Sequence, residues 1–329
     1  MPASPLANPT ATRQMLERFG LATKHRLGQN FLVDDNVIAK ILELARLDET
    51  SSVLEVGPGI GTLTLGMLPL AGSVVSIEAD RELEPVLADL AHAFPNFAYV
   101  MGDALRVSAD EVHTACGRAR QGEAAVPGGP AMATGATVDE GGPAAASDAE
   151  GGPATPTDPA ILVANLPYNV AATIILKYLS ERPSLAAEVV MVQAEVADRI
   201  CARPGTKAYG AYTAKLSLYG EVTGRFEVPP TCFMPAPHVN SAVVRIDRSP
   251  VLHPGTGEPL SAERIDRTCE VIDAAFAQRR KTIRNSMAAR GFEKSALDEA
   301  FSKAGIAPTS RAEALSPDDF VRLACALEE

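Results

Sequence analysis

Asn165-Leu166-Pro167-Tyr168 follows directly on the apolar run 160–164. The tetrad brings together an amide oxygen, a backbone carbonyl and an aromatic face, which is the set needed to hold an exocyclic amino group and stack the base that carries it. Proline donates no ladder hydrogen bond, so strand pairing should end there and leave the Leu166 carbonyl to accept. Taken alone, the same four residues also fit an ordinary strand-ending turn.

The upstream sequence separates the two readings. Residues 52–56 form a short apolar strand that leads into Glu55-Val56-Gly57-Pro58-Gly59-Ile60-Gly61-Thr62-Leu63-Thr64. Glycines there remove the Cβ atoms that would keep a ligand off the backbone, and a following helix offers its first amides. The run 73–77 ends at Glu78, placed to accept both hydroxyls of a ribose. The run 98–101 leads to Asp103, an acceptor for an adenine amine, and 160–164 ends at Asn165. Polar residues at the carboxyl ends of successive strands mark the ligand crevice of an open α/β sheet. A nicotinamide-binding sheet would space its glycines G-x-G-x-x-G, whereas these run G-x-G-x-G, and no hydride-transfer acid follows. A purely structural glycine turn leaves Glu78, Asp103 and Asn165 as coincidences.

On these residues the chain resembles the class I S-adenosylmethionine-dependent methyltransferases, and the tetrad narrows the resemblance to enzymes that methylate nucleobase amines. Further segments narrow it again: Gly28-Gln29-Asn30-Phe31-Leu32, residues 191–200, residues 204–210, the stretch 233–244 beginning Phe233-Met234-Pro235-Ala236-Pro237, and Gln278-Arg279-Arg280-Lys281-Thr282. Together they resemble the ribosomal RNA adenine dimethylases, and in particular the small-subunit, 16S rRNA branch, from about Lys24 to the end of the sequence. The resemblance implies an α/β class I (Rossmann-like) sheet with a small all-helical C-terminal domain, and S-adenosylmethionine as cofactor. It implies that Gln29, Asn30 and Leu32 close over the methionine end of that cofactor and that Gly57 and Gly59 approach it by backbone. Glu78 would take the ribose, Asp103 the adenine amine, and Asn165 would border both cofactor and substrate.

The expected chemistry needs no strong base. An adenine amino nitrogen is a poor nucleophile because its lone pair is delocalised into the ring. If the Asn165 side-chain oxygen and the Leu166 carbonyl accept its two hydrogens, the nitrogen is drawn toward tetrahedral geometry and its lone pair faces the methyl donor. The ammonium product then loses its proton readily. Tyr168 and Phe233 would sandwich the extruded base, each stack being worth about 1–3 kcal/mol, with Phe233 held in an exposed proline-flanked loop. In the family two adjacent adenines near the 3′ end of 16S rRNA each receive two methyl groups. The pocket must then accept an amine already methylated once, which Leu166 permits better than a bulkier aromatic.

Composition bounds the partners. The 329 residues suffice for two domains, and no apolar run is long enough to span a bilayer. Five cysteines and five histidines are scattered without ligand spacing, which points to reduced thiols in a cytoplasm and to no metal site; the working unit expected is a monomer. A net charge of −11 runs against a phosphate-binding protein. Residues 117–158 hold six acidic and two basic side chains, no aromatic and mostly Ala, Gly and Pro, which reads as a disordered insertion. Setting aside its −4 leaves −7, so RNA contact must depend on local patches. Two qualify: Lys24 with Arg26, and Arg279, Arg280, Lys281 and Arg284, the latter flanking an apolar stripe of Ile272, Phe276, Ile283 and Met287 on one continuous helix. A solvated helix face is the plain alternative for the second patch.

The domain layout expected is a flexible, partly helical leader over 1–23, a methyltransferase domain over 24–250 and a helical RNA-binding domain over 251–329. Three other functions fit less of the sequence. A large-subunit rRNA methyltransferase of the macrolide-resistance type shares the Gln-Asn-Phe and Asn-x-Pro-Tyr segments but not 233–244 or 278–282. A non-catalytic ribosome-assembly factor would not need intact Asn165, Tyr168, Glu78 and Asp103. A small-molecule methyltransferase explains neither Tyr168 with Phe233 nor the basic residues.

Overall fold

The structure, a computed structural model, describes residues 3–21, 29–122 and 158–328. Lys24, Arg26 and most of the expected insertion therefore lie outside the described residues. The chain opens with α1 (Pro9–Arg18), β1 (Phe31–Leu32) and α2 (Asp35–Ala45). Strands and helices then alternate: β2 (Ser52–Val56), α3 (Thr62–Met67), β3 (Ser73–Glu78), α4 (Glu84–Ala93), β4 (Phe97–Met101), α5 (Ala109–Gln121), β5 (Ile161–Asn165), α6 (Ala171–Glu181) and β6 (Ala187–Gln193). After α7 (Ala194–Ile200) and α8 (Ala211–Leu216) come β7 (Gly220–Val228), β8 (Phe233–Met234) and β9 (Ser241–Arg248). Four helices complete the chain: α9 (Ala262–Phe276), α10 (Ile283–Ala288), α11 (Lys294–Ala304) and α12 (Pro317–Ala326).

Seven strands form one sheet in the order β4-β3-β2-β5-β6-β9-β7. The first five are parallel, β9 runs antiparallel to β6, and β7 runs antiparallel to β9 and so along the direction of the first five. Alternation along each strand sends side chains to two separate cores. Leu54, Val75, Leu162 and Val190 pack on the face covered by α5 and α6, while Val53, Val74, Val163 and Val189 pack with α2 and α3 on the other. The sheet thus places the carboxyl ends of β2, β3, β4 and β5 along one edge, which is where the polar residues of the sequence fall.

Three features differ from the sequence expectations. The leader is ordered over 3–21: Asn8 caps α1 by accepting from the Ala11 N–H at 2.8 Å, Pro9 starts the helix, and Leu6 and Leu16 are buried. Residues 117–121 belong to the end of α5, where Ala119 is buried and Gly122, at φ 67°, closes the helix in the left-handed region. At the far side of the insertion, Asp158 meets His113 Nδ1 of the same helix at 2.8 Å. The basic segment near 279 is not part of one long helix, because α9 ends at Phe276 and Thr282 caps a new helix, α10, by accepting from the Asn285 N–H.

The helical part has its own core, including Ile272, Met287, Leu297, Phe301 and Phe320. That core also takes in Tyr209, Ala214 and Leu218 from before β7, and the Tyr209 hydroxyl donates to the Leu315 carbonyl at 2.9 Å. The two parts are therefore joined by packing at α8 as well as by the chain around residue 250.

Candidate active site

The turn after β2 builds the floor of the site. Gly57 and Gly59 have φ of 71° and 60°, conformations that side chains disfavour. A Cβ on Gly59 would stand 3.1 Å from the Phe31 ring, so the aromatic and the turn are in close contact. The Gly57 N–H donates to the Ile77 carbonyl at 2.9 Å, tying the turn to β3. Beneath it, Glu55 is buried and its Oε2 accepts from Thr64 Oγ1 and Ser76 Oγ, both at 2.7 Å. Burial pushes the Glu55 carboxyl up to about 7, against the lowering effect of those two hydroxyls.

Glu78 ends β3 with its carboxylate fixed from two sides. Oε2 accepts from the Gly59 N–H at 3.2 Å and Oε1 from the Asp80 N–H at 2.9 Å. Burial raises its pKa, while these backbone donors oppose the shift. Asp80 accepts from Gln29 Nε2 at 2.8 Å, which brings the segment before β1 over the same edge. Asp103 stands at the mouth, exposed, with Oδ1 accepting from the Leu105 N–H at 2.9 Å.

At the end of β5, Asn165 Nδ2 donates to the Asn30 carbonyl at 3.4 Å, so the amide is oriented with Oδ1 as its remaining acceptor. The Leu166 N–H completes the ladder to the Met191 carbonyl at 3.1 Å, and among the described residues no backbone N–H donates to the Leu166 carbonyl. Pro167 supplies the reason, since the chain leaves the sheet there and its own carbonyl accepts from Val170 and Ala171 at the start of α6. Tyr168 is half-buried, and its hydroxyl bonds Ser241 Oγ at 2.7 Å, fixing the ring against the start of β9. Burial raises the Tyr168 pKa, so the phenol stays neutral at ordinary pH.

These groups line one cleft of about 830 Å³. It brings together Gln29, Asn30, Leu32, Gly57, Gly59, Glu78, Asp103, Asn165, Leu166 and Tyr168. Phe233 does not join them. It is 4% exposed because β8 pairs with β1, Leu32 opposite Phe233, and the ring packs into the α2 core instead of a loop. The cleft does hold Phe31, Asp80 and Leu83, which carried no assignment in the sequence. Only Asp80, two residues beyond Glu78, gave a local signal, as the cap of the turn 81–83.

The basic residues lie elsewhere. Arg279 and Lys281 line a second hollow of about 750 Å³, shared with Lys207 and Tyr212. Arg280 is exposed on the same turn. Arg284 instead forms a two-pronged pair with Asp298, Nε to Oδ1 at 2.5 Å and an outer nitrogen to Oδ2 at 2.6 Å, which occupies the guanidinium. Among the described residues no group of three or more His, Cys, Asp or Glu is placed to hold a metal, and no helix is long and apolar enough to cross a membrane.

The cleft suits a nucleoside carrying a positive charge. Its floor lets a ligand reach backbone, a fixed carboxylate stands where a ribose diol would lie, and Glu78, Asp80, Glu82 and Asp103 give the walls a negative field. Sheet order, glycine turn and strand-end acids define a class I S-adenosylmethionine-dependent methyltransferase. The sequence model of a family described as ribosomal RNA adenine dimethylase matches residues 20–329. The chain belongs to the ribosomal RNA adenine dimethylase family, and is an S-adenosylmethionine-dependent methyltransferase of rRNA adenine.

Individual relatives agree. The ribosomal RNA small subunit methyltransferase A of Nocardia farcinica is 37% identical over 324 residues, covering 97% of this chain and 94% of its own. The protein of the same name from Cutibacterium acnes is 37% identical over 331 residues, covering 98% and 95%. In fold, the chain is similar to a dimethyladenosine transferase from Plasmodium falciparum (TM-score 0.63, 21% identity, 89% of this chain and 95% of that one). It is similar in the same way to the 23S rRNA methyltransferase ErmE (TM-score 0.60, 24% identity, 91% and 100%).

Proposed function

We propose that the protein dimethylates the N6 amino groups of two adjacent adenines near the 3′ end of 16S rRNA in the small ribosomal subunit, and that Asn165 and Leu166 activate each amine. The orientation of the Asn165 amide carries this reading, since its Nδ2 is occupied by the Asn30 carbonyl and its Oδ1 is left as acceptor. S-adenosylmethionine supplies, when bound, an electrophilic methyl group on a sulfonium. Glu78 would accept the ribose hydroxyls and Asp103 the cofactor's adenine amine, while Gly57 and Gly59, with Gln29, Asn30 and Leu32, would hold its methionine end. The Asn165 oxygen and Leu166 carbonyl take hydrogen bonds from the target amine and fix it in line, so most of the acceleration is positional and electrostatic. Tyr168, held by Ser241, provides the stacking face. The expected second stacking partner, Phe233, pairs opposite Leu32 and is buried in the core with α2.

Arg279, Arg280 and Lys281 provide the phosphate contacts of the helical domain; Lys24 and Arg26 are assigned the same role from sequence alone. We read the site of action as the cytoplasm, where small subunits assemble, and the working unit as a monomer. The family relationship to small-subunit enzymes over nearly the whole chain favours the small subunit over the large one. Labelled S-adenosylmethionine incubated with unmodified small subunits should place label in 16S rRNA as dimethyladenosine, with none in large subunits. Label confined to large-subunit rRNA would contradict the substrate assignment.

A further inference from the structure

The ordered N-terminal segment contributes no residue to the cleft, yet it is fastened to the back of its walls. Asp35, the first residue of α2, accepts the Ala3 N–H at 3.0 Å and the Ser4 N–H at 2.9 Å through its two carboxylate oxygens. Ser4 is 1% exposed, and its hydroxyl donates to the Thr62 carbonyl at 2.7 Å, one residue beyond the glycine turn. The segment thereby bridges α2 and α3. Further along, Leu6 and Leu16 close a separate apolar cluster with Phe31, Ile60, Leu83 and Val86. Phe31 and Leu83 line the cleft on their other sides, and Ile60 lies between Gly59 and Gly61. Arg18 adds a surface pair to Asp89 of α4 at 3.2 Å.

We propose that residues 3–21 are a positioning element of the methyl-donor cleft, with Leu16 as its keystone. The inference rests on the reading of that cleft as the S-adenosylmethionine site. Its physical basis is that β1, the glycine turn and the turn 81–83 come from distant parts of the sequence and share one apolar plug. Phe31 already presses on the space above Gly59, so a shift of its ring changes the floor on which the cofactor lies. Removing Leu16 atoms leaves a void behind Phe31 and Leu83, and the walls relax into it. Because segment 3–21 touches only the rear of the walls, its effect falls on cofactor affinity more than on RNA recognition.

The test uses full-length protein carrying Leu16→Ala, Leu16→Met or Leu297→Ala, the last in the helical core. S-adenosylmethionine affinity is measured by calorimetry well below the melting temperature of each variant, beside the KM for unmodified small subunits. Leu16→Ala should weaken the cofactor about 10-fold with the RNA KM within about 2-fold, since sub-ångström loosening of a supporting shell is costly. Leu16→Met should recover most of the affinity, and Leu297→Ala should lower the melting temperature while leaving the cofactor affinity unchanged. Wild-type cofactor affinity in a folded Leu16→Ala protein of lowered melting temperature would reduce the segment to a stabilising role and overturn the proposal. Should Leu16→Ala fail to fold, Ser4→Ala carries the same test, with affinity predicted to fall by about 3-fold for one lost hydrogen bond and unchanged affinity contradicting the proposal. Failure of the wild-type protein to bind S-adenosylmethionine is a separate outcome, and it would overturn the cleft reading itself.

Discussion

At the scale of single residues, the site works by leaving a few acceptors open at strand ends while fixing everything around them. Glu78 is held by the Gly59 and Asp80 amides, so its carboxylate is already aimed before a ligand arrives. Glu78→Ala should weaken S-adenosylmethionine binding by about 10–100-fold, the size of a lost hydrogen bond to a charged group. Titration calorimetry measures this, and a change below about 2-fold would remove Glu78 from the ribose role. These residues were legible because each ends an apolar run, and a polar side chain in that place has a geometric meaning. Phe233 was not. Its proline-rich neighbours suggest a loop, and nothing local announces the two-residue pairing with Leu32 that draws it into the core. Phe31 and Leu83 were missed for a related reason, since apolar residues carry no chemical signature until the fold shows which face they line.

At the scale of elements, the apolar runs 52–56, 73–77 and 160–164 made the sheet readable, and the structure places strands at Ser52–Val56, Ser73–Glu78 and Ile161–Asn165, within a residue of them. The break between α9 and α10 was harder to read, because Ile272, Phe276, Ile283 and Met287 keep a helical spacing across it. Thr282 as a cap and the Ser286 hydroxyl, which accepts from the Gln278 N–H and donates to the Ala274 carbonyl, stabilise the break. The consequence is functional: Arg279, Arg280 and Lys281 sit on a turn, while Arg284 is committed to Asp298. Replacing Arg279 or Arg280 with Ala should weaken small-subunit binding and reduce the salt slope of log K by about 0.7–0.9 each. Arg284→Ala should leave that slope unchanged. Filter binding across a salt series checks both, and an equal loss of slope at Arg284 would mean that its pair with Asp298 opens on RNA.

At the scale of the whole molecule, the protein is acidic, with a net charge of −11, and concentrates its function in one crevice and a few basic residues. Two buried carboxyls give the fold a pH dependence. Glu55 sits at about 7 and burial holds Glu188, whose oxygens have no hydrogen-bond partner among the described residues, well above its ordinary value of 4.5. Each binds its proton more tightly when folded, so their contribution is complete below pH 4.5 and is lost as pH rises through the folded values. At about 1.4 kcal/mol per unit, Glu55 alone costs about 3 kcal/mol by pH 7. Glu188→Gln should therefore raise the melting temperature at pH 8 and leave it nearly unchanged at pH 4, as read by scanning calorimetry. The same gain at both values would show that Glu188 does not titrate in this way. Asn165→Ala decides whether Asn165, which borders both ligands, acts chiefly on the amine, with methyl transfer to unmodified small subunits and S-adenosylmethionine affinity measured on one preparation. Transfer should fall by about 10²–10³-fold with cofactor affinity within a few-fold of wild type. Transfer near the wild-type rate, or a loss explained entirely by weaker cofactor binding, would contradict that role.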